Sequence, residues 1–362
     1  VAAHFHKLTI KDIRNETSEC VSIAFHIPEE LKNQFAFTQG QNITVKAIIN
    51  HEEIRRSYSI CSSPLDNELR IAVKKIINGK FSSYADMLKK NDELEILPPT
   101  GKFYTDLNIS NKKNYIAFAA GSGITPIISI IKTTLAKEHQ SSFTLIYGNK
   151  NRSSIIFKEE LEALKNRYMN RFIMHYVFSR EQTDAEINHG RIDASKCDEL
   201  NEQLIAIKKT DAFFICGPQE MIFSVKEWLE KKGLEKKKIH FELFTVPGEK
   251  QSAISSRESS IVNTQAIGKT SNVTIKLDGI AFSFDLPYDA EPILDAAVKQ
   301  GADLPFSCKG GVCSTCRAKL IEGKIEMEHN YALEPDEIEN GFILTCQSHP
   351  RTEKVVIDFD VK

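Results

Sequence analysis

The sequence predicts a multidomain protein of α/β and β class: an antiparallel β-barrel, then a doubly wound parallel α/β domain, then a compact unit with a cysteine-rich loop. Three observations carry this. Residues 1–105 break into short apolar-alternating runs separated by turn residues, the rhythm of an antiparallel barrel. From about residue 112 strand-length apolar runs alternate with longer amphipathic ones, as in a parallel sheet covered by helices. Near the end, Cys308, Cys313, Cys316 and Cys346 are spaced C-x4-C-x2-C with one distant fourth member.

In the barrel, strands are expected at 19–27, 41–49, 55–59, 69–77 and 93–97, with a helical segment at 84–89. In the second domain the pattern predicts strand 115–119 then helix 124–137, strand 143–147 then helix 157–167, strand 172–178, and strand 212–216 then helix 220–231. Residues 247–270 are rich in Ser, Gly, Gln, Thr and Asn without apolar periodicity, so they read as a linker. The expected division is therefore barrel 1–108, α/β domain 109–246, linker 247–270 and third unit 271–362.

Composition narrows the class. With 41% hydrophobic residues the chain has ample material for packed cores. The apolar stretch 115–135 is interrupted by Gly121, Ser122, Gly123, Thr125, Pro126, Ser129 and Lys132, which suits a strand entering a buried helix and not a membrane span. Val1-Ala2-Ala3-His4-Phe5-His6 has neither a basic nor an apolar leader region, so a cytoplasmic location is expected. No basic tract interleaved with aromatics points to nucleic acid. Residues 271–362 hold nine Lys and Arg against sixteen Asp and Glu, a net of −7, whereas 1–246 carry +4. That asymmetry suggests electrostatic docking, between the domains or onto a basic partner, or simply a solvated acidic surface.

The cysteine spacing is the plant-type ligand pattern of a [2Fe-2S] cluster. Around it, Pro305-Phe306-Ser307-Cys308-Lys309-Gly310-Gly311-Val312-Cys313-Ser314-Thr315-Cys316 is a small-residue loop whose amides can point at the sulfurs and lessen the cost of concentrating negative charge. A zinc site is the alternative, but paired C-x2-4-C units are the zinc pattern. Cys20, Cys61 and Cys197 have no ligand-like spacing and are assigned to packing.

Along Arg56-Ser57-Tyr58-Ser59, strand alternation puts Arg56 and Tyr58 on one face. A guanidinium there can pair with pyrophosphate, a phenol can lie against a flat heterocycle, and the Ser59 hydroxyl can meet a polar ring edge. Downstream, Val73-Lys74 ends a strand, and Gly79-Lys80-Phe81-Ser82 leads into a helical segment, a natural place for phosphate or a plain Ser cap. Gly121-Ser122-Gly123-Ile124-Thr125-Pro126 joins a strand to a helix. Its glycines allow a tight turn under phosphates and Pro126 suits the first helical turn. Cys216-Gly217-Pro218 follows another apolar strand; taken alone, Cys216 is as readily a buried structural thiol. Ser179 and Arg180, at a strand end, offer a hydroxyl and a guanidinium to an extra phosphate, with Arg191 a weaker second candidate.

Together these segments resemble the ferredoxin–NADP reductase superfamily, with R-x-Y-S, G-x-x-S and P-x-G-x-F in the barrel, then G-x-G-I-T-P, C-G-P-x-x-M and a terminal E-x-F. The resemblance implies an antiparallel flavin-binding barrel, a nicotinamide-binding α/β domain and a β-grasp-like [2Fe-2S] domain. It implies that Arg56 holds the pyrophosphate, Tyr58 stacks on the isoalloxazine and Ser59 contacts its reactive edge. Ser57, Val73, Lys74, Gly79, Lys80, Phe81 and Ser82 complete that pocket. It places Gly121, Gly123, Thr125, Pro126, Gly217 and Pro218 around the nicotinamide nucleotide and Cys216 near the hydride-transfer position. Glu242 and Phe244 lie at the flavin face, Phe244 as a movable lid or a packed strand residue. The phosphate turn favours FAD over FMN, and Ser179 with Arg180 favours NADPH, with NADH the alternative. The fused C-terminal cluster resembles the reductase components of multicomponent oxygenases. A di-iron oxygenase is the favoured acceptor, and a Rieske-type ring hydroxylase, ketosteroid hydroxylase, desaturase or hybrid-cluster protein are alternatives. A cluster-based redox sensor without turnover is the alternative of another class. Electrons would pass from NADPH through FAD to the cluster, which at about −400 mV reduces many metal-centre oxygenases.

Overall fold

The computed structural model describes residues 4–244 and 269–361; most of the expected linker lies outside the described residues. The first domain contains β1 (His6–Thr17), β2 (Cys20–His26), β3 (Asn42–Ile49), β4 (Glu52–Ser59), β5 (Leu69–Lys74), the helix α1 (Lys80–Ala85) and β6 (Glu93–Ile96). Its strands pair antiparallel in the order β4-β3-β6-β1-β2-β5. An isolated bridge between Ile60 and Ile71 brings the two edges together, so the sheet curls into a barrel around Leu8, Ile23, Ile43, Val45, Ile71 and Ile96.

Three local expectations change here. The long strand β1 is added, its alternation masked by irregular pairing between Ile10 and Asp12 and between Asn15 and Thr17. β5 stops at Lys74 and not at 77. The helix expected at 84–89 begins at Lys80 and ends at Ala85, because Gly79 supplies the extended N-cap and Ser82 already lies within the helix.

The second domain runs β7 (Asn114–Ala120), α2 (Ile124–Lys137), β8 (Ser142–Asn149), α3 (Lys158–Arg167), β9 (Phe172–Phe178), α4 (Ala194–Gln203), β10 (Ala212–Cys216), α5 (Gln219–Lys231) and β11 (Ile239–Glu242). All five strands are parallel, in the order β11-β10-β7-β8-β9. Apolar clusters cover both faces, which is why the strands read as continuous apolar runs. One cluster continues into the barrel through Cys20, Cys61, Ala72 and Phe103, and Phe103 meets Phe214 edge-on at 5.6 Å. Ser129 donates to Ser62 O at 2.7 Å across the same boundary, so barrel and α/β domain share a core. Among the described residues no helix is long and apolar enough to cross a membrane.

The third unit comprises β12 (Thr270–Leu277), β13 (Ile280–Pro287), α6 (Ile293–Lys299), β14 (Arg317–Glu322), β15 (Ile325–Met327), α7 (Pro335–Glu339), β16 (Phe342–Leu344), β17 (Ser348–Pro350) and β18 (Lys354–Asp358). Its mixed sheet has the order β13-β12-β18-β14-β16, with β12 and β18 parallel. Thr270 already belongs to β12, so the expected linker is one residue too long at this end. The cysteine loop spans the gap between α6 and β14.

The crossover from barrel to α/β domain is tied down by Glu138, which is fully buried at the end of α2. Its carboxylate accepts from Asn108 N at 3.1 Å, Asn111 Nδ2 at 2.5 Å, Tyr115 OH at 2.9 Å and Ser141 Oγ at 2.7 Å. Removing one acceptor strands several buried donors. Glu138→Ala is therefore expected to lower stability by roughly 3 kcal/mol, measured by urea unfolding; a loss within error of zero would contradict this role.

Candidate redox site

The side expected to take the nicotinamide nucleotide lies at the carboxyl ends of β7 and β10, where the strand order reverses and α/β sheets open a crevice. The turn after β7 and the turn after β10 touch there. A Cβ on Gly123 would fall 2.0 Å from Cys216 O and 2.7 Å from Gly217 N, so only glycine permits this approach. Gly121 sits at φ +53, and its carbonyl accepts from Tyr147 OH at 3.0 Å. Thr125 is buried and donates to Ser122 O at 3.0 Å, while Pro126 occupies the first turn of α2. Cys216 is fully buried. Burial, with the nearby Glu242 charge, pushes its thiol well up, so it is no free thiolate nucleophile.

Gly217 and Pro218 follow, with Pro218 at the N-cap of α5. Ser179 and Arg180 leave β9, two strands from the reversal; their amides donate to Asn149 O and Lys150 O, both at 2.9 Å. Arg180 is exposed and Ser179 part-buried. Arg191 is separate, 3.9 Å from Glu220.

Facing this crevice, β4 carries the Arg56 to Ser59 run. Tyr58 packs on Phe81 of α1, ring centroids 5.4 Å apart, and burial raises its phenol. Arg56 Nη1 donates to Arg55 O at 2.8 Å, and Ser57 Oγ lies 3.3 Å from Thr44 Oγ1. Val73 is buried. Lys74 Nζ lies 3.4 Å from where a Gly121 Cβ would stand; burial and then the Lys150 charge lower its pKa. Lys80 pairs with Glu52.

The Gly79 turn is tight, since a Cβ there would meet Ser82 Oγ at 2.5 Å. The Ser82 hydroxyl accepts from Ile76 N at 3.1 Å and reaches Gly79 O at 3.2 Å. It thus stabilises its own turn, and α1 is only six residues long.

Ser59 and Glu242 close the site. Ser59 Oγ donates to Glu242 Oε2 at 2.8 Å, and Glu242 is the register partner of Cys216. Burial pushes the Glu242 carboxyl up to about 7, opposed by the Ser59 hydroxyl and reinforced by Cys313. Phe244 lies beyond the end of β11 and is 41% exposed, so it is not a packed strand residue.

In the cysteine loop, Lys309 and Gly311 adopt φ +53 and +74, and a Cβ on Gly311 would stand 2.9 Å from His329 O. Cys313 Sγ lies 3.2 Å from Cys308 Sγ, and Cys346 interacts with both Cys308 and Cys316. Gly310 N donates to Cys308 Sγ at 3.4 Å. Among the described residues no three His, Cys, Asp or Glu converge on a single-ion site. The four sulfurs instead form a chain of contacts, which fits a two-iron group drawing on all four thiolates. Cys20, Cys61 and Cys197 are buried apart from it.

Sequence reasoning passed over the residues that seat this loop. Thr315 Oγ1 lies 3.0 Å from Thr44 Oγ1 of β3, and Ser314 Oγ 3.2 Å from Thr100 Oγ1. Arg55 also reaches the third unit. The Arg55-Arg56 doublet was the only available signal, since a strand points two adjacent side chains to opposite faces.

Residues 7–104 match the oxidoreductase FAD-binding domain family, 118–227 the oxidoreductase NAD-binding domain and 275–351 the 2Fe-2S iron-sulfur cluster binding domain. The chain is 44% identical to one component of the 1,2-phenylacetyl-CoA epoxidase of Escherichia coli K12, over 99% of this chain and 98% of that one. It is 31% identical to the ferredoxin reductase component of 3-ketosteroid-9-alpha-monooxygenase from Rhodococcus rhodochrous, over 97% and 96%. Among solved structures, phthalate dioxygenase reductase matches with TM-score 0.57 and 23% identity, over 98% of each chain. An intact type IV self-sufficient cytochrome P450 monooxygenase matches with TM-score 0.68 and 18% identity, over 98% of this chain and 41% of that one. These last two likenesses are of fold.

The raised Glu242 pKa has a consequence for stability. A folded pKa of about 7 against the usual 4.5 means the folded state holds the extra proton between those values, so its contribution falls as pH rises through that window. Glu242→Gln removes the group. The melting temperature of wild type relative to this variant is expected to fall between pH 5 and pH 8; a constant difference would refute the shift.

Proposed function

We propose that this chain, which belongs to the family of oxygenase reductases joining an FAD-binding domain, an NAD-binding domain and a [2Fe-2S] domain, takes electrons from NADPH to an oxygenase of the phenylacetyl-CoA epoxidase type. The observation that carries the choice of partner is end-to-end identity of 44% with a component of that epoxidase, against 31% with the ketosteroid reductase component. The latter supports a ketosteroid hydroxylase as second reading.

When bound, nicotinamide supplies a hydride, flavin takes two electrons and releases them singly, and the cluster carries one at a time. This chain's residues position those groups. In our reading Arg56 and Lys74 receive the flavin diphosphate, and Tyr58 lies along its ring with Phe81 behind. The Gly121–Gly123 turn and Cys216-Gly217-Pro218 form the floor under the nicotinamide nucleotide, with Thr125 fixing the turn. Ser59 and Glu242 present a hydroxyl and a carboxyl to the reacting edge, and Phe244 covers the approach. Ser179 and Arg180 receive the 2′-phosphate. Cys308, Cys313, Cys316 and Cys346 hold the cluster against the barrel.

Two measurements test this reading. Loaded protein with NADPH is expected to support substrate oxidation by a phenylacetyl-CoA epoxidase oxygenase faster than by a ketosteroid hydroxylase; equal or reversed rates would overturn the choice of partner. Arg180→Ala is expected to raise KM for NADPH about tenfold or more, the worth of one charge-assisted phosphate contact, while leaving NADH nearly unaffected. An equal effect on both coenzymes would remove Arg180 from the phosphate site.

A further inference from the structure

Strand β4 has a second face. Arg56 and Tyr58 share one side, Tyr58 against Phe81, while Arg55 and Ser57 point the other way. That other side meets the cysteine-bearing domain. Arg55 is nearly fully buried, its side chain 7% exposed. Its Nη1 donates to Leu304 O at 3.1 Å and its Nη2 to Asp303 Oδ1 at 3.3 Å. Its guanidinium lies 4.1 Å from the centre of the Phe306 ring, two residues before Cys308. Glu53 holds the guanidinium from behind, Oε1 accepting from Nε at 2.8 Å, and Phe5 lies against it at 4.9 Å.

Two positions on, Ser57 contacts Thr44, which contacts Thr315 between Cys313 and Cys316. One end of the cysteine loop therefore rests on the reverse side of β4 and the other on Thr44 of the neighbouring β3, which Ser57 of β4 touches.

We infer that Arg55 is a positioning residue for electron transfer: it holds the segment 303–306 and so fixes the cluster loop at one separation from the flavin. The step it serves moves one electron at a time, oxidising the flavin and reducing the cluster, with no atom transferred. The guanidinium suits the task. Its plane lies over Phe306 while its rigid fork holds two acceptors in fixed directions, a geometry that a point-like ammonium does not impose. Lysine at this position keeps the charge and loses the fork. This inference rests on the flavin lying on the Tyr58 side of β4, as proposed above.

The test uses the holoprotein as wild type, Arg55→Lys, Arg55→Gln and Phe306→Leu, each checked for flavin and iron content. Anaerobic stopped-flow with NADPH reads flavin bleaching and cluster reduction as separate signals, and hydrogen exchange reads the backbone of residues 303–307. Bleaching is expected to be unchanged while cluster reduction slows about tenfold, the scale of a small misplacement of reacting groups. Exchange at 303–307 is expected to quicken in step, with Arg55→Lys between wild type and Arg55→Gln.

Variants with full cofactor content whose cluster reduction and exchange both match wild type would overturn the inference. So would an equal slowing of bleaching and cluster reduction, which marks a general structural defect. If the Arg55 variants lose flavin, Phe306→Leu decides the matter from the other domain by the same criteria. A wild type whose cluster NADPH never reduces would instead sink the electron route itself, so the two failures are told apart.

Discussion

One hydrogen bond, from the Ser59 hydroxyl to the Glu242 carboxyl, marks the point where the three domains meet. Ser59 closes β4 of the barrel and Glu242 closes β11 of the α/β domain. Cys313, from the third domain, stands close enough to help raise the pKa of the same carboxyl. From this point the other contacts follow by register. Glu242 stands beside Cys216 on neighbouring parallel strands, and the Cys216 carbonyl touches Gly123. Displacing any of these loops by an ångström would break the hydrogen bond or force the two turns into collision. The apolar core shared by barrel and α/β domain makes such a displacement expensive, since core packing is dense and yields little.

Much of this was legible because the chemistry leaves few choices. A close backbone approach demands glycine, so Gly121 and Gly123 were visible as a pair. Four thiolates at plant-type spacing have few other uses. The parallel sheet could be read because its strands are apolar on both sides. The barrel was harder. β1 mixes Lys7, Lys11, Asp12, Arg14 and Glu16 into its run and changes register twice, which destroys the two-residue period. α1 was misplaced because Gly79 and Ser82 look like loop and cap, whereas the helix starts between them. α4 was missed because it buries only Cys197 and Leu200, too narrow a stripe to register as periodicity.

The contacts that orient the domains were not legible, although the charge imbalance pointed to docking in general. Thr44 and Thr315 are 271 positions apart, and a threonine in a strand or loop carries no sign of its partner. Arg55 reads as one half of a basic doublet whose other half has an evident role. Only the fold reveals that strand alternation turns the two arginines to opposite faces, Arg55 towards the third domain and Arg56 away from it.

The charge imbalance of the sequence also acquires a sharper meaning. The acidic third domain does meet polar partners on the barrel and its N-terminal segment: Lys102 lies 3.3 Å from Asp336 and 3.5 Å from Glu337, and His4 Nε2 lies 2.8 Å from Asp278. Lys102, Asp336 and His4 are themselves well exposed, and exposed ion pairs contribute about 0–1 kcal/mol each. Such pairs favour approach without dictating one orientation. Orientation must come from contacts with steep geometric dependence, and those are the Thr44 to Thr315 hydrogen bond and the buried Arg55 fork. Arg55 lies at the domain boundary, so parting the domains would rehydrate it and leave no charge stranded in the interior. The contact therefore favours one docked geometry through its direction, not through a buried charge that would forbid any other.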